Sequence, residues 1–300
     1  MNADPRPGSG PGAGSTVAAA LAAAQALGLP RLDAQWLLAH RLQQSRTWLL
    51  AHDDTPLTEP VAQAYAVDCR RRAAGEPLAY LLGEWAFCGL RLRVSPAVLI
   101  PRPETELAVD WGLELLAGSS GGDVAPQVLD LGAGSGAIAL ALKHRWPAAE
   151  VTAVDLSADA LAVARDNALR LGLAVAFIQG DWWQPLAGRR FDLVVANPPY
   201  VAEADPHLAA LRHEPLSALT PGGDGLGALE RIVAGAAAHL NAGAWLLLEH
   251  GHDQDAAVRA QLAAAGFERI ESRADLAGLP RCSGGRRPSP AFAQGCGLAP

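Results

Sequence analysis

The sequence predicts an α/β protein in which a doubly wound, mostly parallel β-sheet follows a small N-terminal helical domain. From Gln127 onwards short apolar runs alternate with helical segments, which is typical of a parallel sheet covered by helices on both faces. The region from Thr16 to about Leu82 instead carries apolar residues at helical spacing. A length of 300 residues exceeds what one hydrophobic core usually organises, so two domains are expected.

Composition and charge exclude several classes of protein. Half of the residues are hydrophobic and 18% are charged, which excludes a disordered chain. The net charge of −7 and the pI of about 5.6 argue against a surface that grips nucleic acid through many phosphate contacts. No direct nucleic-acid partner is therefore expected.

Cysteine spacing and hydropathy bear on where the protein works. The four cysteines form no C-x-x-C pair, so the sequence predicts neither a zinc site nor a disulfide framework and fits a reducing cytoplasm. The alanine-rich run at 17–27 follows a single basic residue and is interpreted as a helix rather than a signal peptide. No stretch reaches the roughly 20 apolar residues of a membrane span, so no membrane partner is expected.

The segments before the sheet are predicted in order along the chain. Residues 1–14 are rich in glycine and proline and are expected to form a flexible tail. Residues 15–84 are predicted to form a helical bundle. Residues 85–103 are interpreted as a hairpin linker with two extended pieces, 90–94 and 98–100.

The α/β domain is predicted to cover residues 104–283. It opens with a helix at 104–116, and strands and helices then alternate. The predicted strands are 128–131, 151–154, 175–178, 193–196 and 244–248, and the predicted helices are 138–145, 158–171, 226–240 and 256–265. Residues 284–300 are rich in glycine and proline and are predicted to be an irregular tail.

A glycine-rich loop is the first candidate binding site. Asp130-Leu131-Gly132-Ala133-Gly134-Ser135-Gly136 follows a predicted strand and opens a helix, where backbone approaches a ligand closely and amide N–H groups point outward. The candidate cofactor-binding residues are Gly132, Ala133, Gly134, Ser135 and Gly136. The same spacing satisfies the dinucleotide fingerprint, so a nicotinamide-dependent enzyme is an open alternative at this point.

Two further strand ends supply candidate cofactor contacts. Asp155 is interpreted as an acceptor for two ribose hydroxyls rather than as a helix cap, because Ser157 already supplies a natural cap. Trp182 lies where an open sheet would hold an adenine ring. Core packing is the alternative role for Trp182 and for its neighbour Trp183.

The tetrapeptide Asn197-Pro198-Pro199-Tyr200 is the most informative motif. Asn197 follows a predicted strand at the edge of the sheet where ligands bind in this architecture. The two prolines fix the backbone and remove two donors, so carbonyl groups are left to accept hydrogen bonds from another molecule. Asn197, Pro198, Pro199 and Tyr200 are therefore candidate substrate-binding residues, and an NH₂ group is the matching guest.

The chemistry that this arrangement favours is methyl transfer to a planar nitrogen. The lone pair of an amide or exocyclic amine is delocalised, so orientation has to compensate for poor nucleophilicity. If the Asn197 oxygen and the Pro198 carbonyl each accept one N–H, the nitrogen faces a methyl sulfonium, and Tyr200 is expected to pack on the planar group. Asn197, Pro198 and Tyr200 are the candidate catalytic residues.

Two other clusters give weaker signals. Glu249-His250-Gly251-His252 has two histidines but no third ligand nearby, so a turn between strand and helix is preferred over a metal site. Arg70-Arg71-Arg72 is interpreted as a solvated helix face, with contact to RNA or an acidic partner as the alternative.

Several of these segments together resemble the release factor glutamine methyltransferase family. The resemblance runs from about Leu78 to Asp275, and the phrase around Arg102 is its most specific part. It rests on Val94-Ser95-Pro96 with Leu99-Ile100-Pro101-Arg102-Pro103-Glu104-Thr105-Glu106, the glycine loop, the tetrapeptide, Asp205-Pro206-His207-Leu208 and Leu247-Leu248-Glu249-His250-Gly251.

The resemblance implies a Rossmann-like methyltransferase domain of the seven-stranded type that uses S-adenosyl-L-methionine. Such enzymes methylate the side-chain amide nitrogen (N5) of the glutamine in the Gly-Gly-Gln motif of class I peptide chain release factors. By position, the glycine loop, Asp155, Trp182 and Asn197 would hold the cofactor, and the tetrapeptide would hold the glutamine. The N-terminal bundle would help to dock the release factor. Family members typically end in an ordered strand, which the glycine- and proline-rich end of this sequence puts in doubt.

Two other functions stay open beside this one. An adenine-N6 methyltransferase acting on DNA or RNA would use the same tetrapeptide, since it suits any planar NH₂ group, but would need a basic surface that this acidic sequence does not show. A non-catalytic adaptor that binds S-adenosylmethionine would leave the intact tetrapeptide unexplained.

Overall fold

The computed structural model describes residues 15–119 and 125–289. It divides the chain between Gly83 and Glu84 into two compact units. The flexible tail predicted for residues 1–14 lies outside the described residues, as does the last part of the predicted C-terminal tail.

The first unit is a helical bundle. Its helices are α1 (Val17–Ala26), α2 (Arg31–Leu42), α3 (Arg46–Ala51), α4 (Glu59–Ala73) and α5 (Leu78–Leu82). The hydroxyls of Thr16 and Ser45 accept a backbone N–H in the first turn of α1 and α3, which explains where these helices begin. Val17, Leu38 and Leu49 are among the apolar residues that fill the buried interior of the bundle.

A two-stranded antiparallel hairpin opens the second unit. Strand β1 (Glu84–Phe87) pairs with β2 (Leu90–Arg93). The prediction that residues 98–100 form an extended piece of this hairpin is wrong, because that segment is irregular and β1 takes its place. The Ile100 N–H donates to the Glu214 carboxylate at 3.0 Å instead of to a strand.

The second unit is built on a seven-stranded, mostly parallel sheet. The strands are β3 (Gln127–Leu131), β4 (Glu150–Asp155), β5 (Ala176–Gln179), β6 (Phe191–Ala196), β7 (Leu240–Glu249), β8 (Glu268–Ala274) and β9 (Pro280–Arg286), in the order β5-β4-β3-β6-β7-β9-β8. The first five of these strands are parallel, and β9 runs antiparallel to both of its neighbours. The strand order reverses direction between β3 and β6, where a sheet of this kind opens a crevice.

Helices lie on both faces of this sheet. They are α6 (Glu106–Ser119), α7 (Ala137–Arg145), α8 (Ala158–Leu171), α9 (Gly227–His239) and α10 (Asp255–Ala264), with 3₁₀ turns at Pro103–Thr105, Gln184–Leu186, Pro206–Ala209 and Leu216–Ala218. Alternate strand residues enter two separate cores: Leu247 packs with residues of α6 and α7, and Leu246 packs with residues of α9 and α10. The doubly wound fold is thereby confirmed.

The C-terminal end of the sheet differs from the prediction. Residues 284–286 belong to strand β9 rather than to an irregular tail, and the edge strand β8 is not anticipated by the sequence. The glycines of β9 mark close packing. A Cβ built on Gly284 would lie 2.5 Å from Leu247, and one built on Gly285 would lie 2.9 Å from Phe267. Glycine is needed here because the faces of β9 are in tight contact, not because the chain bends.

Candidate functional site

A cavity of about 640 Å³ opens at the carboxyl ends of β3, β4 and β6, where the strand order reverses. The predicted site residues that line it are Gly132, Ala133, Gly134, Ser135, Asp155, Trp182, Asn197 and Pro199. Gly136, Pro198 and Tyr200 are not among the lining residues. The cavity therefore brings together most, but not all, of the residues that the sequence singles out.

The glycine loop is held by hydrogen bonds of its own backbone. The N–H groups of Gly132 and Ala133 both donate to the Val154 carbonyl, at 2.8 and 2.9 Å. Gly132 has a φ of +87°, and a Cβ built there would come within 3.6 Å of the Trp182 ring. Gly136 is needed for packing rather than for the cavity, since a Cβ built there would lie 2.9 Å from Leu140 in the first turn of α7. The loop thus forms a narrow cradle whose walls are backbone.

Asp155 lies at the end of β4 in the wall of the cavity. Its two carboxylate oxygens accept one backbone N–H each, from Gly134 and from Ser157, both at 2.8 Å. Burial raises the pKa of this carboxyl, and the backbone hydrogen bonds oppose that shift. The cap of α8 is Ser157, whose hydroxyl accepts the Ala160 N–H, so the carboxylate is not needed as a cap of that helix.

The two adjacent tryptophans have different surroundings. Trp182 has a positive φ of +47° and lines the cavity beside Gly132. Trp183 donates its indole N–H to the Ile232 carbonyl at 3.0 Å and stacks on His239 with ring centroids 4.9 Å apart. Trp182 therefore faces the cavity, and Trp183 packs against α9.

The tetrapeptide follows β6 directly, and its first residue is fixed by a side-chain contact. The Asn197 amide NH₂ donates to the Thr105 hydroxyl at 3.1 Å. Pro198 is buried. The Tyr200 hydroxyl donates to the Glu249 carboxylate at 3.2 Å, and burial is the main cause that raises the pKa of this phenol. Tyr200 therefore faces a buried carboxylate rather than the cavity.

Comparison with known proteins identifies the family. Two family models match: the PrmC N-terminal domain over residues 15–83 and the methyltransferase small domain over residues 105–226. The release factor glutamine methyltransferase of Bordetella pertussis is 52% identical over 261 residues, which cover 86% of this chain and 95% of that protein. This chain belongs to the release factor glutamine methyltransferase family.

Other relatives agree with this membership. The release factor glutamine methyltransferase of Burkholderia pseudomallei is 51% identical over 269 residues, covering 87% of this chain and 93% of that protein. A solved methyltransferase from Pyrococcus furiosus shares the fold with a TM-score of 0.50 at 16% identity, over 67% of this chain and 90% of its own. Membership confirms the predicted Rossmann-like methyltransferase fold, the protein-glutamine methyltransferase activity and the cofactor S-adenosylmethionine. The adenine-N6 methyltransferase and adaptor alternatives are not favoured by this membership, and neither is a nicotinamide-dependent enzyme.

Two residues to which the sequence analysis assigns no role lie beside the tetrapeptide. Thr105 ends the 3₁₀ turn Pro103–Thr105 and lines the cavity. Glu249 ends β7 and is 2% exposed, and burial raises its pKa to about 7 although hydrogen bonds from Thr105 and Tyr200 oppose the shift. Both residues stand in segments that carry the family resemblance, which is the signal in the sequence that points to them.

The wall opposite the glycine loop is held by a second buried carboxylate. Glu214 accepts the Ile100 N–H at 3.0 Å and pairs with the Arg102 guanidinium. Arg102 and Pro101 line the cavity from one segment, and Pro215 and Thr220 line it from another. Glu214 thus ties together two irregular segments that enclose the same space.

The weaker sequence signals have other roles in the structure. His250 is fully buried, bonded through Nε2 to the Ser283 hydroxyl at 2.7 Å, and burial lowers its pKa. Arg71 pairs with Glu76, and Arg72 pairs with Asp33. Within residues 15–119 and 125–289, no group of three or more potential ligands is placed to hold a metal ion. In the same part of the chain, no helix has both the length and the apolar character to cross a membrane.

Proposed function

We propose that this protein methylates the side-chain amide nitrogen of the glutamine in the Gly-Gly-Gln motif of class I peptide chain release factors. The orientation of Asn197 carries the proposal. Its NH₂ group is occupied by Thr105, so its carbonyl oxygen is the polar atom left to face the cavity. No donor among the described residues reaches the Pro198 carbonyl. Two neighbouring acceptors match the two hydrogens of a primary amide.

The cofactor is proposed to bind on the other side of the cavity. Gly132 to Gly136 offer a cradle in which every second position has no side chain, Asp155 offers free lone pairs for ribose hydroxyls, and Trp182 offers a flat apolar surface for adenine. Asn197 lies between the two groups of residues. When bound, S-adenosylmethionine supplies a methyl group on a positively charged sulfur.

The proposed task of the protein is orientation rather than proton abstraction. Asn197 and Pro198 hold both N–H bonds of the substrate amide, so its nitrogen has a single direction in which to react. After transfer the nitrogen is positive, and its proton is acidic enough to leave without a strong base. Asp155 is not proposed to act as a base, because its carboxylate already accepts two backbone N–H groups and is proposed to bind the cofactor.

Recognition of the whole release factor is proposed to involve the N-terminal bundle. Leu32 and Trp36 lie one turn apart on α2 and are 52% and 40% exposed. Exposed apolar side chains that share a helix face are typical of surfaces that bind other proteins. The names of the curated relatives support a release factor as the partner.

The test is mass spectrometry of purified release factor incubated with the enzyme and labelled donor. We expect one added methyl on the motif glutamine and none when that glutamine is replaced by alanine. An adenine-containing oligonucleotide in a parallel reaction tests the nucleic-acid alternative, since label on adenine with none on the release factor would overturn the proposal.

Variants of two asparagines separate an enzyme from a binding adaptor. Asn197→Ala is expected to abolish the added methyl. Asn241→Ala is the matched control, because the Asn241 amide donates to Asp192 at 2.7 Å and does not line the cavity. Equal methylation by both variants would contradict the proposed use of the tetrapeptide.

A further inference from the structure

We propose that Thr105 and Glu249 are positioning residues that lock the Asn197 side-chain amide with its oxygen toward the substrate. This inference rests on the proposed function, because it concerns the group that receives the glutamine amide. It assigns a role to two buried residues that stand behind the tetrapeptide and do not react themselves.

The three side chains are neighbours in one buried group at the ends of the strands. Asn197 and Glu249 follow the paired residues Ala196 and Leu248 at the ends of neighbouring parallel strands. Thr105 stands beside both: its hydroxyl accepts from the Asn197 NH₂ at 3.1 Å, and it lies close enough to the Glu249 carboxylate to lower the pKa of that group. Thr105 is 4% exposed and Glu249 is 2% exposed, so water does not compete for these bonds.

The direction of every bond follows from counting protons. An ionised carboxylate only accepts hydrogen bonds, and a threonine hydroxyl has one proton to give. In the proposed arrangement that proton goes to Glu249, whose buried Oε2 has no other hydrogen-bonding partner among the described residues, so Thr105 has only lone pairs to offer Asn197. The Asn197 NH₂ must therefore face Thr105, and its oxygen must face the cavity. A flipped amide would set two acceptors against each other with no proton between them.

The buried carboxylate also acts through its charge. Tyr200 donates to Oε1 of Glu249, and the buried Oε2 is the oxygen left to receive the Thr105 proton. Two charged groups act on it from neighbouring segments: Glu104 and Arg281, the latter already paired with Asp275 at 3.0 Å. Negative charge behind Asn197 strengthens its oxygen as an acceptor and stabilises the positive nitrogen that forms during methyl transfer.

The experiment compares Thr105→Val, Thr105→Ser and Glu249→Gln in the full-length enzyme with release factor as substrate. Thr105→Val keeps the shape and removes the hydroxyl, so we expect kcat to fall about 100-fold, the effect of losing a precisely placed polar group. Thr105→Ser restores the hydroxyl and should recover kcat to within about 5-fold of the wild type. Glu249→Gln keeps an acceptor without charge, and its kcat should lie between those of the two Thr105 variants.

A purely structural role would give a different pattern. Thr152→Val is the matched control, because the Thr152 hydroxyl is buried against Arg189 and does not line the cavity. We expect the Kd for S-adenosylmethionine and the KM for release factor to change less than about 3-fold in every variant, since the loss concerns the transition state. Equal losses of kcat in Thr105→Val and Thr105→Ser, or a parallel loss of cofactor binding, would overturn the proposal.

A measurement without turnover separates this inference from the proposed function. The ¹⁵N-labelled side-chain NH₂ of Asn197 can be assigned by its disappearance in Asn197→Ala. Its protons should exchange slowly with solvent in the wild type and in Thr105→Ser and rapidly in Thr105→Val. Rapid exchange in the wild type would contradict a fixed Asn197 amide even if the release factor is methylated. Slow exchange without methylation would contradict only the proposed function.

Discussion

The two halves of the cavity are held in place by different parts of the chain. On the glycine-loop side, the fixed contacts are backbone N–H groups: Gly132 and Ala133 bind the Val154 carbonyl, and Gly134 binds Asp155. On the tetrapeptide side, the fixed contacts join side chains: Asn197 donates to Thr105, and Tyr200 donates to Glu249. The first half depends on conformation, and the second depends on the identity of single functional groups.

This difference indicates how each half tolerates change. A backbone cradle accepts many side chains as long as the φ angles that it needs are available. A chain of buried hydrogen bonds fails when a single donor is lost, because its partner is left unsatisfied. Substitutions in the two halves should therefore separate cofactor binding from turnover.

The largest expected effect on kcat comes from the tetrapeptide side of the cavity, the proposed substrate half. Asn197→Ala removes the acceptor that holds the substrate amide, and kcat should fall about 1,000-fold, as on losing a main transition-state hydrogen bond. The Kd for S-adenosylmethionine, measured by calorimetry, should rise by less than about 10-fold, since the cradle is intact. A Kd that rises as much as kcat falls would mean that the two halves are not separable.

Substitutions on the glycine-loop side should have the opposite effect, weakening cofactor binding with little change in kcat. Gly132→Ala forces a side chain into a φ of +87° beside Trp182, so the Kd for S-adenosylmethionine should rise about 30-fold, in line with 1–3 kcal/mol of strain. At saturating cofactor, kcat should stay near the wild-type value. Gly172→Ala is the control, because Gly172 has a φ of +66° with open space around it and lies at the end of α8. Equal binding defects in both variants would point to general instability.

The adjacent tryptophans offer a sharper version of the same comparison. Trp182→Ala should weaken cofactor binding about 10-fold, the usual effect of removing an aromatic ring from a base, with little change in Tm. Trp183→Ala should instead lower the free energy of unfolding by about 3 kcal/mol, since it empties packed space and leaves the Ile232 carbonyl without its donor. Calorimetry and chemical denaturation of both variants decide between these roles.

The smallest expected effect is a pH dependence that is confined to the substrate half. Burial raises the pKa of Glu249 to about 7 from the ordinary 4.5, with Glu104 raising it further and Thr105, Tyr200 and Arg281 opposing the shift. Because the lock needs the carboxylate, kcat should rise several-fold between pH 6 and pH 8 with a midpoint of about 7. Glu249→Gln should remove this rise. A wild-type profile that is flat across this range would contradict the role of the charge.

Stability should change with pH in the opposite direction. Since the folded-state pKa of Glu249 lies above the unfolded value, folding favours the protonated carboxyl. Its contribution to stability is complete below pH 4.5 and is lost as the pH rises through about 7. Buried Asp130, whose pKa burial also raises to about 7, adds to the same trend. Urea unfolding of the wild type and of Glu249→Gln should show a shallower decline in the variant.

The parts of the site that the sequence predicts are those encoded within one short segment. The glycine loop and the tetrapeptide each follow a strand, so the common edge of a parallel sheet brings Gly132 and Asn197 to one cavity. The roles of Thr105 and Glu249 could not be predicted from the residues themselves, because these roles depend on contacts between segments that are distant in sequence. The doublet Trp182-Trp183 is ambiguous for another reason, since the two residues are identical and only their tertiary contacts show which ring faces the cavity.

The errors in the predicted fold have a common physical cause. Gly284 and Gly285 suggest a loop by composition, but glycine is needed at these positions because Leu247 and Phe267 pack directly against them. Residues 98–100 suggest a strand by their apolar character, but the Glu214 side chain satisfies the Ile100 N–H. In both places tertiary packing decides what local propensity leaves undetermined.

The position of β9 between β7 and β8 has a consequence for synthesis of the protein. Glu249 on β7 pairs with Cys282 on β9, and Leu247 pairs with Gly284. During translation the hydrogen-bonding edge of β7 therefore stays open until residues 280–286 leave the ribosome. The strand that carries the buried carboxylate gains its second neighbour only after residues 280–286 have been made, so a chain that terminates before them leaves Glu249 without the strand beside it.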